Sequence, residues 1–355
     1  MTSKSIVVAM SGGVDSSVAA ALLKQAGHHV IGMMLRLWSE PGSDGANRCC
    51  SPESMALARR VARQLDIPFY VIDARELFRS TVVDFFIDGY SRGVTPNPCL
   101  LCNREVRWTY LLEHALAMGA EAMATGHYAR KRKLASGLHE LHRAVDRSKD
   151  QSYVLHVLDQ NQLQRALFPI GELTKGAVRT LAVQFGLPTA QRRDSQDLCF
   201  LAGDDYRNFL RRNAPSVFSP GEIRTRSGRT VGRHEGLAGY TIGQRKGLGA
   251  VDGRPLYVLE KDSAENALIV GDAAERLASD LMIDNVNWIR GSAPEGPLNV
   301  EAKTRYTAKE ARAVVMPLAD GGAALRFDSP QLDLTPGQAA VFFQGDVVLG
   351  GGVIR

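Results

Sequence analysis

The chain has 355 residues, 45% of them hydrophobic and 23% charged, with a formal net charge of +5. That length supports two or three domains with ample core; the ordinary composition excludes a fibrous or low-complexity protein, and no apolar run reaches the roughly 18 residues of a membrane-spanning helix. A strand pattern begins almost at once, which argues against a secretion signal. Five cysteines, an odd number, then read as reactive or metal-binding thiols of a cytoplasmic protein.

In chain order, strands are predicted at 5–10, 29–35, 68–72 and 122–125, and helices at 16–26, 52–65, 76–91 and 103–118. This rhythm predicts an α/β fold with an open parallel sheet covered on both faces. Ligands then sit at the carboxyl ends of the strands. From about 150 to 215 the pattern is mostly helical. Past Pro220 glycines multiply and short alternating runs appear. From about 280 almost everything reads as short strands and turns, which suggests a small β-barrel or sandwich.

The first strand runs into Ser11-Gly12-Gly13-Val14-Asp15-Ser16-Ser17. Two glycines allow a tight turn close to an anion, and the amides at the following helix start face it. Ser16 and Ser17 offer hydroxyl donors, and Asp15 is positioned for Mg²⁺ or for the helix start. Without Gly-Lys-Ser/Thr this is no Walker A loop. It resembles the loop of the ATP pyrophosphatases, which split ATP between the α and β phosphates. Basic groups cluster at Arg130–Lys133, Arg192-Arg193, Arg211-Arg212 and Arg245-Lys246; beside a nucleotide loop they favour an RNA partner.

Two prolines precede Cys99-Leu100-Leu101-Cys102 in Thr95-Pro96-Asn97-Pro98. A helix pattern follows, so Cys102 should have a lowered pKa. Cys199 lies about a hundred residues later, with Arg192 and Arg193 nearby to favour a thiolate. Zinc usually takes four ligands, and no second Cys-x-x-Cys is present. The adjacent Cys49-Cys50 reads as structural or local.

With these segments the chain is similar to the tRNA-specific 2-thiouridylase family. The likeness spans nearly the whole length. It includes Thr125-Gly126-His127-Tyr128-Ala129, Ser148–Tyr153, Phe168–Leu173, Gly239–Gly249, Lys303–Tyr306 and Thr335–Val341. It implies an adenine-nucleotide α-hydrolase-like ATP-binding domain at 1–200, a central tRNA-binding domain at 201–277 and a C-terminal β-barrel at 278–355. ATP falls to Ala9, Met10, Ser11, Gly12, Gly13, Val14, Asp15 and Ser16, with Leu35 (often methionine in the family) and Gly126 along the adenosine. By the same likeness Cys199 is expected to carry a persulfide and Cys102 to be the nucleophile. Asn97, Pro98 and Cys99 touch the target base; His127, Lys149, Asp150, Gln151, Arg305, Tyr306 and Gln338 contact tRNA. The implied partners are the anticodon arms of lysine, glutamate and glutamine tRNAs and a persulfide relay protein. The implied reaction adenylates C2 of uridine 34 with ATP and Mg²⁺, then transfers sulfur.

One position departs from the family. Many members carry aspartate, assigned as a general base, where this chain has Cys99, and a neutral thiol cannot copy a carboxylate. Cys99, Cys102 and Cys199 are also three candidate ligands of a [4Fe–4S] cluster. Two other readings stay open: another ATP pyrophosphatase-type ligase or amidotransferase, which needs no paired thiols, and a catalytically dead tRNA-binding protein.

Overall fold

The computed structural model describes residues 3–40, 51–193, 198–248, 250–251 and 254–355. Strand β1 (Ser5–Ala9) leads through a turn into helix α1 (Val14–Gln25), followed by β2 (His29–Arg36), α2 (Pro52–Gln64) and β3 (Phe69–Asp73). Two long helical runs, α3 (75–91) and α4 (98–117), precede β4 (Ala122–Thr125). A hairpin of β5 (Ala129–Lys133) and β6 (His139–Arg143) comes next, then the two-residue strand β7 (Ala166–Leu167) and helix α5 (Lys175–Gln184).

Strands β3-β2-β1-β4-β7 form one parallel sheet in that order. β1 explains why it is covered on both sides. Ile6 and Val8 point into the cluster under α1, α2 and α5, while Val7 points into the cluster under α4. Side chains alternate across a strand, and all three are at most 1% exposed. Each such burial contributes about 1.5–3 kcal/mol. After β1 the chain moves to β2 on one side and returns to β4 on the other. The crevice beyond the ends of β1 and β4 is therefore the sheet's switch point.

α4 begins at Pro98, five residues before the sequence pattern placed it. Proline has no amide to lose in the first turn and its φ suits a helix start. Cys99 and Cys102 consequently lie inside the first turns of this helix.

Farther on, Gly221–Thr225, Thr230–His234, Tyr257–Asp262 and Ala267–Gly271 make a four-stranded sheet. The last six strands, from Leu277–Trp288 to Val347–Ile354, are antiparallel. Pairing of the first with the last closes them into a barrel. The hairpin β5–β6 extends this barrel, because β6 pairs with Val347 and Val348. Barrel residues Val341, Phe343 and Val348 also enter the cluster beneath α4. Among the described residues no helix is long and apolar enough to cross a membrane.

Candidate active site

The turn between β1 and α1 has one conformation open to it. Gly12 sits at φ +70°, and a Cβ there would lie 2.3 Å from the Ser54 carbonyl oxygen at the start of α2. Arg192 ties the two segments together: one guanidinium nitrogen donates to the Gly12 carbonyl at 2.7 Å, another to Ser54 Oγ at 2.6 Å. The sequence reading gave Arg192 to the Cys199 thiol; the structure uses its guanidinium at the loop.

The loop serines brace the turn. Ser17, fully buried, donates to the Gly13 carbonyl at 2.7 Å, and Ser16 Oγ accepts from the Ser11 amide at 3.2 Å. The Ser16 hydroxyl likewise donates to the Gly13 carbonyl at 3.3 Å and lies 3.3 Å from that of Ser11, so the expected hydroxyl donors are engaged within the turn. Met10 is buried, its amide donating to the Met33 carbonyl, and Leu35 packs between the clusters on either side of α4. Gly126 lets the end of β4 abut α1, since a Cβ would stand 2.6 Å from the Ser16 amide nitrogen.

Above the loop lies a cleft of about 590 Å³. Ala9, Ser11, Gly13, Val14, Asp15 and Ser16 form one wall; Thr125 to Tyr128, Lys149, Gln151 and Tyr306 form others. Among the described residues five cationic side chains line it, Arg107, Lys149, Lys175, Arg192 and Arg193, against the single carboxylate of Asp15. That balance suits a polyphosphate. Asp15 accepts two bonds from Lys175 Nζ, at 2.7 and 2.8 Å, and a third from the Tyr128 hydroxyl at 2.9 Å. Both oxygens of Asp15, expected to hold Mg²⁺ or the helix start, are paired with the Lys175 ammonium in this structure.

His127 is 8% exposed, and its Nδ1 lies 2.8 Å from Thr125 Oγ1. Burial, helped by the charge of Arg107, pushes its pKa down to about 3. The imidazole is neutral at pH 7 and serves the cleft as a hydrogen-bonding group. Gln151 is fixed from the opposite side, accepting from the Tyr128 amide at 3.0 Å while its own amide donates to the Tyr128 carbonyl.

A second group gathers at the start of α4. Asn97 caps the helix and its side chain bonds the Tyr153 hydroxyl, which also donates to the Ala339 carbonyl at 3.0 Å. Tyr306 meets Tyr153 edge-on at 6.0 Å between ring centroids. Cys99 is exposed and lies close enough to Tyr306 for its charge to be felt there, as are Lys149 and Asp150. Cys102 is 8% exposed, embedded among Phe86, Phe200 and Phe209. Cys199, in a short helical turn Cys199–Leu201, packs on the same cluster. Pro98 is buried in the first turn of α4.

Three expected tRNA contacts are engaged within the protein. Asp150 accepts from the Ala144 amide and the Ser152 hydroxyl at 2.9 and 2.8 Å. Half-buried Arg305 donates to the Asp333 carbonyl at 2.6 Å and to Thr335 Oγ1. Gln338 donates to the Thr95 carbonyl at 2.8 Å. The last contact joins the barrel to the segment entering α4.

Among the described residues no three or more histidine, cysteine, aspartate or glutamate side chains are grouped to hold a metal ion. A [4Fe–4S] cluster on Cys99, Cys102 and Cys199 would need three thiolates at one point, and Cys99 faces solvent while Cys102 faces the core. The thiols do not fit that group, and the expectation is corrected. Cys49 and Cys50 lie outside the described residues. Lys175, missed by sequence reasoning, lies two residues past the Phe168–Leu173 motif.

The chain matches three family models in succession. They are a tRNA methyl transferase HUP domain over residues 4–203, a tRNA methyl transferase PRC-barrel domain over 207–272 and an aminomethyltransferase beta-barrel domain over 278–354. It is 48% identical to tRNA-specific 2-thiouridylase MnmA of Moorella thermoacetica, covering 98% of this chain and 99% of the relative. It is 47% identical to the protein of the same name from Roseiflexus castenholzii, covering 98% of each. NMN synthetase from Francisella tularensis is a more distant structural neighbour, with 16% identity, 54% of this chain and 66% of that chain covered, and a TM-score of 0.35.

Proposed function

The chain belongs to the family of tRNA-specific 2-thiouridylases, ATP-using tRNA sulfurtransferases, and on that premise we propose how its residues divide the reaction. One observation carries the reading: the loop at 11–16 and the side chains of Lys149, Gln151 and Tyr306 line the same cleft. A nucleotide on the loop and an RNA on the opposite wall would meet there.

In this reading the ATP phosphates lie over the amides at the start of α1, and Lys175, Arg192 and Arg193 balance their charge. The adenosine rests near Leu35 and Gly126. Asp15 would hold a Mg²⁺ ion bound with the nucleotide, which would supply further charge neutralisation at the phosphates. Uridine 34 leaves its stack to reach the cleft, because its C2 is inaccessible within it. Its O2 attacks the α-phosphate and pyrophosphate departs. The terminal sulfur of a Cys199 persulfide attacks C2 and AMP leaves. Cys102 then attacks the Cys199 sulfur, freeing the thiolated base and leaving a Cys102–Cys199 disulfide. The shared hydrophobic cluster of Cys102 and Cys199 supports this last step. A relay protein supplies the persulfide, and the lysine, glutamate and glutamine tRNAs are the proposed substrates.

The test is nucleoside mass spectrometry of tRNA incubated with the protein, ATP, Mg²⁺ and a persulfide donor. The reading expects 2-thiouridine with AMP and pyrophosphate in equal amounts, and none of it from Cys199→Ser. Unreduced turnover by a folded Cys199→Ser protein would favour a ligase or amidotransferase.

A further inference from the structure

The proposed reaction closes a disulfide in a place that solvent barely reaches. Cys102 is 8% exposed among Phe86, Phe200 and Phe209, and Cys199 is partly buried on the same cluster. A reductant must approach a sulfur nearly in line with the bond it breaks, and the burial of Cys102 leaves little room for that approach. Cys99, three residues earlier on the same helix, is the exposed thiol of the set.

Three residues along a helix advance about 4.5 Å and complete most of a turn, which leaves the two Cα atoms roughly 5 Å apart. That spacing lies within the range a disulfide bridges. Cys99 is also the second residue of α4, behind the buried Pro98. Thiols near helix N-termini and in Cys-x-x-Cys pairs are biased toward thiolate. A cluster would need all three sulfurs together, whereas exchange needs only two pairwise encounters, both through Cys102.

We propose that Cys99 is a resolving thiol that moves the disulfide from the core to the surface. This rests on the reading above, in which turnover leaves a Cys102–Cys199 disulfide. The Cys99 thiolate attacks Cys102 Sγ; a Cys99–Cys102 bond forms, the Cys102–Cys199 bond breaks, and Cys199 departs as a thiolate. The step exchanges one disulfide for another and needs no oxidant. Cys199 is then ready for the next persulfide. An external dithiol attacks Cys99 Sγ at the surface and supplies the two electrons that restore Cys99 and Cys102.

The test oxidises the full-length protein with diamide, quenches with acid, blocks remaining thiols with N-ethylmaleimide and maps disulfides by peptide mass. The wild type should hold a Cys99–Cys102 bond with Cys199 alkylated. In Cys99→Ser a Cys102–Cys199 bond should persist, and its reduction by dithiothreitol should slow about tenfold or more relative to wild type. Cys99→Asp, which keeps an exposed polar side chain without a thiol, should behave like Cys99→Ser. A wild-type protein that retains Cys102–Cys199 with Cys99 alkylated overturns the proposal, as does equal reduction of wild type and Cys99→Ser. Mapping after one round of thiolation tests the underlying reading separately. That mapping uses Cys99→Ser, in which the bond cannot move on: thiolated tRNA from this variant without any Cys102–Cys199 disulfide refutes that reading's last step, whatever the diamide result.

Discussion

Lys175 and Asp15, 160 residues apart, form a two-pronged ion pair on the floor of the cleft, with Nζ 2.7 and 2.8 Å from the two carboxylate oxygens. Among the described residues the pair holds the one carboxylate of a cationic cleft and fixes an ammonium beside the loop. Lys175→Met should lower tRNA-dependent pyrophosphate release by about 10²–10³-fold, the usual loss when one donor to a developing charge is removed. Lys175→Arg should recover part of it, and Asp15→Ala should be nearly inactive. Unchanged pyrophosphate release in folded Lys175→Met would contradict the role.

Gly12→Ala tests the loop without touching any charge. Its Cβ would meet the Ser54 carbonyl at 2.3 Å in a left-handed backbone, so the loop must shift away from α2 and from Arg192. Titration calorimetry with a non-hydrolysable ATP analogue should show binding weakened at least about tenfold, given a strain of order 1–3 kcal/mol. Gly27→Ala is the control. It has φ +81° with nothing within 4 Å, and it should bind the analogue normally.

Lys149 and Arg305 should part company. Lys149 lines the cleft, so Lys149→Ala should weaken tRNA binding and reduce the log–log salt slope by roughly one. Arg305 holds the Asp333 carbonyl and Thr335. Arg305→Ala should leave that slope unchanged and lower stability by about 1–3 kcal/mol through the acceptors it abandons. Filter binding over a salt series, with thermal melts, checks both.

Acid should destabilise the fold through two buried histidines. Burial pushes His127 down to about 3 and His156 down to about 4, against 6.5 in an unfolded chain. Below pH 6.5 the unfolded chain binds protons that the folded protein refuses. The stability present above pH 6.5 is therefore lost as pH falls toward 4, at about 1.4 kcal/mol per pH unit for each histidine. Urea titrations of wild type and His156→Asn between pH 7 and 4.5 should differ in slope by about one proton. Equal slopes would contradict burial of a neutral His156.

What the sequence revealed depended on distance along the chain. Strand β1, its glycine turn and α1 are contiguous, so the loop at 11–17 could be read from local pattern alone. Lys175 could not, because its partner is fixed by how α5 packs beside α1. Arg192 was read as a neighbour of Cys199 from sequence proximity, yet its guanidinium reaches back to Gly12 and Ser54. Ser17 looked like a phosphate donor because its type is right, but at the start of a helix a hydroxyl readily bonds the carbonyl four residues earlier, as it does here. Arg305 and Gln338 carry the same lesson for the tRNA surface: side chains suited to RNA also suit a seam between segments.

The pairing of β6 with Val347 and Val348 constrains the order of folding during synthesis. The hairpin β5–β6 leaves the ribosome long before the final strand that covers its edge, and pairings so distant in sequence form late. β5, whose run Arg130-Lys131-Arg132-Lys133 is the sort of charge that keeps an open edge from recruiting a second chain, stays at the edge of the finished sheet. Until Val347 and Val348 pair, β6 also waits with its opposite edge exposed. A message cut short before Val347 would leave that edge permanently uncovered, together with the hydrophobic cluster that Val341, Phe343 and Val348 close. Val347 and Val348 thus complete the edge of β6 and, through Val348, the cluster beneath α4 as well as the barrel.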